Sequence, residues 1–176
     1  MLKDKRYHSA CHEAAHAVVC LQVNQTFKCI RLREEIRETN YWGNGIVKSL
    51  GRMIPTDETI YRNDAWREAW VSVAGIVFEK LLRPHHSYAF MALFGAALND
   101  YKDAVEWQRY SLYNTEDDRE VERILFKYTL PPVRRLVIEH WNDIANIGTL
   151  LAQRGELSQT EVEAAMLTKR EAANAG

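Results

Sequence analysis

The sequence predicts a mainly α fold with a small β-hairpin or sheet near residues 27–50. Apolar residues recur at helical spacing over most of the chain, most clearly at residues 57–82 and 131–154. In contrast, residues 27–33 alternate between apolar and polar, as is typical of a half-buried strand. The 176 residues fit one domain, so we expect residues 1–176 to form a single compact unit with its own core.

The amino-terminal part is predicted to hold one helix and the strands. The helix covers residues 4–23. After the first strand, the turn signal Gly43-Asn44-Gly45 precedes a second strand predicted at residues 46–50. Gly51 and Pro55 are expected to close this β region, because both residue types interrupt regular structure.

The rest of the chain is predicted to be helical. Capping and breaking residues divide it into helices at residues 57–82, 89–113, from 114 or 115 onward, 131–154 and from 158 onward. Gly155 is expected to end the fourth of these helices, and Ser158 with Glu161 indicates a capping box for the last. Gly75 lies inside the first, where glycine costs about 1 kcal/mol relative to alanine. It therefore indicates either a close helix contact or simple tolerance.

Composition and charge argue against several classes of protein. A formal net charge of -1 gives no general attraction to nucleic acid. No apolar run approaches the roughly 18 residues of a membrane span, and His12, Glu13 and His16 interrupt any signal-peptide core. The three cysteines, an odd number in no disulfide-like spacing, indicate a reducing compartment. We therefore expect a cytoplasmic protein that binds no nucleic acid and has no membrane span.

The most informative stretch is His12-Glu13-Ala14-Ala15-His16, an H-E-x-x-H pattern inside the first predicted helix. Positions i and i+4 of an α-helix lie on one face, about 6 Å apart along the axis. Two imidazoles so placed can bind one tetrahedral Zn²⁺, and Glu13 then lies where a carboxylate can take a proton from zinc-bound water. This arrangement is typical of a zinc peptidase. The alternative is two partly buried histidines on an ordinary amphipathic helix.

A catalytic zinc needs a third protein ligand. His8 and Cys20 continue the i, i+4 series, but residues 8–16 or 12–20 span about 12 Å of helix axis, too far for one ion. We therefore interpret His8 as a helix-start residue and Cys20 as a small buried apolar group. The chemistry of the remaining residues leaves several candidates open: Glu79, His85, His86, Asp100, Asp103 and His140.

Four segments resemble, in the same order, the peptidase domain of the FtsH-type ATP-dependent zinc peptidases. Residues 10–19, ACHEAAHAVV, resemble the HEAGHA helix of that family. Residues 74–81, AGIVFEKL, look like its GGRAAEEL segment, and residues 96–104, AALNDYKDA, look like its GASNDLERA segment. Residues 141–166 are similar to its paired terminal helices. In the first motif, Ala15 replaces the usual glycine.

The resemblance implies a zinc-dependent endopeptidase that cleaves unfolded or flexible polypeptides. It places Asp100 as the third zinc ligand and Glu13 as the general base. It places Glu79 near the site, either as a reserve ligand or as a partner that holds a histidine tautomer. Ala97-Leu98 replaces the usual Ala-Ser before Asn99-Asp100, which affects local packing rather than the ligand. An edge strand at residues 45–50 would accommodate an extended substrate by strand addition.

The expected partners follow from the same resemblance. The sequence contains no G-x-x-x-x-G-K-[ST] loop, so we expect a peptidase domain without the family's ATPase module. A folded substrate would then need a separate ATPase or unfoldase. Relatives assemble as rings, so a homo-oligomer is one expectation and a monomer the other. Two alternatives remain open: a zinc-binding regulatory module with weak or no hydrolysis, and a helical scaffold without metal.

Overall fold

The computed structural model describes residues 2–32, 37–39, 45–47, 51–55, 64–88, 97–112 and 117–174. Within these ranges the chain is mainly helical with a small antiparallel sheet, which confirms the predicted fold class. The helices are α1 (Leu2–Gln22), α2 (Ala65–Leu82), α3 (Ala97–Ser111), α4 (Asp118–Ile124), α5 (Leu130–Glu139), α6 (Trp141–Arg154) and α7 (Gln159–Asn174). The strands are β1 (Phe27–Leu32), β2 (Arg37–Thr39), β3 (Gly45–Val47), β4 (Gly51–Pro55) and β5 (Glu156–Ser158).

Helix α1 is the central element of the core. Every residue from Ala10 to Cys20 is buried, on all sides of the helix. Helices α2 and α6 pack on α1, and strands β1 and β4 lie against it. Helix α2 in turn packs on α3 and α5. A helix surrounded in this way buries its polar residues together with its apolar ones, so His12, Glu13 and His16 lie inside the protein.

The main sheet has the strand order β4-β1-β5, and both pairings are antiparallel. Ile30, in the central strand, is paired with Met53 on one side and with Leu157 on the other. The sheet therefore reaches beyond the predicted region near residues 27–50. Strand β5 has three residues and follows α6 directly, and its pairing with β1 is the feature that defines it.

The strand predicted at residues 46–50 is present in part as β3, whereas the strand that returns along β1 is β4. Gly51 therefore begins a strand and does not close the β region, and Pro55 is the last residue of that strand. Proline is tolerated at the end of an edge strand because no ladder hydrogen bond from it is required there. The predicted strand at 46–50 overlaps β3, which pairs with β2 in a separate two-stranded sheet. Residues 48–50 lie outside the described residues.

Each predicted helical stretch contains at least one helix, but several helix ends differ from the prediction or cannot be compared with it. Helix α2 follows Asp64, and the predicted residues 57–63 lie outside the described residues, as do residues 89–96 ahead of α3. Asp117 caps α4, because its Oδ1 accepts from the backbone N–H groups of Arg119 (3.0 Å) and Glu120 (3.4 Å).

The helix predicted at 131–154 is divided into α5 and α6 at His140, which has non-helical backbone angles. No proline or glycine marks this break, so the sequence offered no local signal for it. A π-helical turn (Leu125–Thr129) joins α4 to α5 without interruption. Two predicted ends are confirmed. Gly155 ends α6 with a φ of 81°, and Ser158 and Glu161 exchange the two hydrogen bonds of a capping box.

The cysteines and the helix lengths bear on the expected compartment and membrane topology. Cys11, Cys20 and Cys29 are free thiols. Cys20 is buried, as predicted, and burial, with the nearby charge of Glu68, raises the pKa of its thiol to about 12. Of the helices in the described ranges, none combines the length and the apolar character needed to span a bilayer.

Candidate metal centre

His12 and His16 lie one turn apart on α1, and their imidazoles face each other. The two ring centroids are 4.9 Å apart, and the two Nε2 atoms are 3.2 Å apart. Asp100, in the first turn of α3, extends its carboxylate to the same point. Its Oδ2 lies 2.9 Å from Nε2 of His12 and 3.4 Å from Nε2 of His16. Three donor atoms from two helices therefore form a small triangle.

The size of this triangle fits a tetrahedral ion. Two ligands at 2.0–2.1 Å from a tetrahedral centre are about 3.3–3.4 Å apart. The observed edges are 2.9, 3.2 and 3.4 Å, so small movements bring all three atoms to that separation. The group of His12, His16 and Asp100 could therefore hold a metal ion. Three protein ligands leave the fourth tetrahedral position for another group.

The tautomer of His16 is set by the neighbouring helix α2. Nδ1 of His16 lies 2.6 Å from the backbone carbonyl oxygen of Val71. A carbonyl can only accept, so this nitrogen carries a proton and donates it. A neutral His16 then presents the lone pair of Nε2 to the donor triangle, which is the form that a metal requires.

Gly75 explains how two helices can enclose the imidazoles so closely. A Cβ atom built on Gly75 would lie under 3.0 Å from Cε1 and Nε2 of His12 and from Nε2 of His16. Side chains essentially never approach a Cβ atom so closely, so any other residue would displace the rings. Of the two interpretations left open for this glycine, the structure supports the close contact.

Charges in the cluster favour protonated imidazoles when no metal is present. Burial would lower the pKa of His12, but the hydrogen bond and the charge of Asp100 outweigh it and raise that pKa well above its ordinary value. The pKa of His16 is raised in the same way, and the charge of Glu13 adds to both effects. Burial would raise the pKa of Asp100, but the two imidazoles hold it well below its usual range. A metal ion must therefore displace protons to bind here.

Glu13 is buried beside the two histidines. It is one residue further along the helix than His12, and its negative charge acts on both imidazoles. The carboxylate is therefore in the immediate surroundings of the donor triangle without being one of its three members.

Among the candidates for the third ligand, Asp100 is the residue that joins the histidines. Asp103, one turn further along α3, is exposed, as are His85 and His86 in the turn after α2. His140 pairs locally with Asp143, with 2.9 Å between Nδ1 and Oδ2.

Glu79 lies on the opposite side of the His12 ring from the donor triangle. Its Oε1 is 3.6 Å from Nδ1 of His12, so it faces the nitrogen that does not point at Asp100. This position fits the partner of a histidine tautomer rather than a reserve ligand. Burial would raise the pKa of Glu79, but the imidazoles of His12 and His8 outweigh it and bring the pKa down to about 2.

The interpretation of His8 as a helix-start residue was wrong. His8 lies well inside α1, and its Nε2 is 2.6 Å from Oε1 of Glu79. The distance argument that excluded His8 as a ligand still holds, since it is outside the donor triangle. The i, i+4 series of three histidines was the available signal, and it indicates a shared face even where it excludes a shared ion.

Comparisons with known proteins assign no family to this chain. A scan against protein-family models finds no match, and a search of curated proteins finds none either. The resemblance to FtsH-type peptidases therefore remains a prediction from four short segments, while the candidate metal site rests on the distances between His12, His16 and Asp100.

Proposed function

We propose that this protein is a zinc-dependent endopeptidase that hydrolyses peptide bonds of unfolded or flexible polypeptides. The observation that carries the proposal is the meeting of three donor atoms, Nε2 of His12, Nε2 of His16 and Oδ2 of Asp100, around an H-E-x-x-H helix. Two imidazoles and one carboxylate form a ligand set that catalytic zinc sites use, with the fourth position left for water or substrate.

The residues of this chain divide the chemistry between them. Bound at this site, zinc supplies a Lewis acid that polarises a carbonyl and lowers the pKa of water to about 7. Glu13 acts as the general base that accepts a proton from the attacking water and later delivers it to the leaving amine. The water oxygen becomes part of the new carboxylate, and the C–N bond breaks. His12, His16 and Asp100 would hold the ion, and the carbonyl of Val71 keeps His16 in the tautomer that this requires.

The proposed substrates are peptides, loops and unfolded chains. This choice rests on the resemblance to the FtsH-type peptidases, whose phosphate-binding loop of the Walker type has no counterpart among these 176 residues. Cleavage of a folded protein would require a separate ATPase or unfoldase as partner.

One observation favours a second candidate, a zinc-binding module with little or no hydrolysis. His12, Glu13 and His16 expose only 4–6% of their surface, whereas the Asp100 side chain exposes 21%. Within the described residues, a substrate therefore has to approach along the Asp100 side. A closed centre of this kind would suit a structural or regulatory metal site as well as a catalytic one.

A parallel measurement of metal content and casein cleavage tests the proposal. The samples are the untagged wild-type chain, Glu13→Gln, Asp100→Ala and, as a matched acid from α3, Asp103→Ala. We expect one zinc per chain and cleavage in the wild type and in Asp103→Ala. Glu13→Gln should keep its zinc and lose cleavage, since the amide cannot act as a base. Asp100→Ala should lose both.

Two outcomes would contradict the proposal in different ways. A wild-type chain that holds zinc but cleaves neither casein nor a peptide library would favour the binding module. A chain that takes up no zinc even when the metal is added would leave only the helical scaffold.

A further inference from the structure

Glu79 connects two histidines of α1 from its place on α2. Its Oε1 lies 2.6 Å from Nε2 of His8 and 3.6 Å from Nδ1 of His12. Its Oε2 lies 3.9 Å from Nη1 of Arg83. The side chain is only 13% exposed. Oε1 therefore lies between two imidazoles, one of which belongs to a proposed metal ligand, while Oε2 has only an exposed arginine at longer range.

Nδ1 of His12 is buried and lacks a hydrogen bond in the described part of the protein, although the carboxylate of Glu79 lies close to it. A histidine that binds a metal through Nε2 carries its proton on Nδ1 and normally donates it to an acceptor. His16 has such an acceptor in Val71 at 2.6 Å, whereas His12 has Glu79 at 3.6 Å. A movement of under about 1 Å would bring this pair to hydrogen-bonding distance.

We propose that His8 and Glu79 are positioning residues for His12. The Nε2–H group of His8 donates to Glu79 and holds its carboxylate beside Nδ1 of His12. Glu79 accepts the Nδ1–H of His12 and thereby presents Nε2 of His12 to the metal. This inference rests on the proposed zinc site. It adds to that site two supporting residues, Glu79 and the histidine one helical turn before the H-E-x-x-H pattern.

The three histidines of α1 then have two different tasks on one helix face. His12 and His16 supply donor atoms, while His8, one turn earlier, lies too far along the axis to reach the same ion. The carboxylate bridges that turn, because it contacts His8 directly and His12 at slightly longer range. His8 therefore acts through Glu79. Removing His8 in a chain that already lacks Glu79 should have no further effect on the metal.

Titration of the metal-free chain with Co²⁺ tests whether His8 affects the metal site through Glu79. The visible absorption of bound Co²⁺ reports both its affinity and its ligand geometry. The variants are Glu79→Ala, His8→Leu, the double variant, His8→Gln and, as an exposed histidine control, His85→Leu. Thermal unfolding without metal is measured for each, so that a general loss of stability is recognised.

We expect Glu79→Ala to raise the dissociation constant for Co²⁺ about 10–100-fold, as outer partners of metal ligands generally do. His8→Leu should raise it about 10-fold, at the lower end of that range, and the double variant should match Glu79→Ala. His8→Gln keeps a donor and should restore binding, and His85→Leu should equal the wild type. The absorption bands should shift in Glu79→Ala and in His8→Leu.

The outcomes separate this inference from the proposed function. Unchanged Co²⁺ affinity and absorption in Glu79→Ala and His8→Leu would overturn the positioning role while leaving the metal site intact. Effects that multiply in the double variant would overturn the claim that His8 acts through Glu79. A wild-type chain that binds neither Co²⁺ nor Zn²⁺ would overturn the metal site itself and this inference with it.

Discussion

Two histidine–aspartate pairs in this protein have the same contact distance and different surroundings. Nε2 of His12 lies 2.9 Å from Oδ2 of Asp100, and Nδ1 of His140 lies 2.9 Å from Oδ2 of Asp143. The second pair is local, three residues apart at the start of α6. The first joins residues 88 positions apart and includes a second imidazole, that of His16. Residue types and a short distance therefore do not suffice for a metal site, whereas a third converging donor forms a group that could hold an ion.

The largest difference between the two pairs should appear when each aspartate is removed. Asp100→Ala takes away one of three donors and should weaken zinc binding by more than about 100-fold, beyond the loss typical of outer partners. Asp143→Ala should leave zinc binding unchanged. Competition with a chromophoric chelator measures both constants. Equal losses in the two variants would mean that the triangle around His12 has no special role.

A smaller effect is expected from the glycines that admit close neighbours. Gly75→Ala should lower stability by about 1–3 kcal/mol, because the new methyl group overlaps the imidazoles of His12 and His16. Gly148→Ala should lower stability by a similar amount, since its methyl group overlaps Cys11. Only Gly75→Ala should also impair metal binding. Denaturant unfolding and zinc titration of both variants distinguish a local packing defect from damage to the centre.

The pH dependence of metal binding follows from the pKa shifts at the first pair. The pKa of His12 is raised well above its ordinary value in the metal-free chain by the hydrogen bond and charge of Asp100, so this imidazole keeps its proton to a higher pH than an ordinary histidine. Metal affinity should be greatest above that raised pKa and fall as the pH is lowered, by up to about 10-fold per unit for each displaced proton. Zinc titrations between pH 8 and pH 6 measure this. An affinity that stays constant over this range would contradict the proton-holding cluster.

The smallest effect should come from the local pair. His140→Ala should cost about 0.5–1.5 kcal/mol of stability, the net contribution of a typical hydrogen bond, since the side chains of the pair are only 12% and 17% exposed. Neither zinc content nor cleavage should change. Thermal unfolding with and without zinc provides the measurement, and a lower zinc content in this variant would show that the two pairs are coupled.

Features that follow from local geometry could be predicted from the sequence, and features that depend on distant contacts could not. The i, i+4 spacing of His12 and His16 is a property of any α-helix, so their approach could be predicted from local geometry. The αL cap at Gly155 and the capping box at Ser158 are local as well. The break at His140 and the short strand β5 have no local signal, because they depend on contacts with distant elements.

The position of Asp100 also depends on a contact between distant residues, which local sequence patterns do not predict. Residue chemistry alone left it as one of several acids and histidines, and the resemblance to a known family singled it out. The partnership of His8 with Glu79 was not predicted from the sequence. A pair 71 residues apart in the chain has no periodic signature.

By itself, the sequence determined that two imidazoles and a carboxylate share one turn of a helix, since 3.6 residues per turn follows from the backbone alone. Only the tertiary structure decided that Asp100 is the acid that reaches both Nε2 atoms and that Gly75 makes room for the rings. These features depend on how α2 and α3 pack beside α1. Such packing is a balance of many weak contacts between distant residues, which no short stretch of sequence contains.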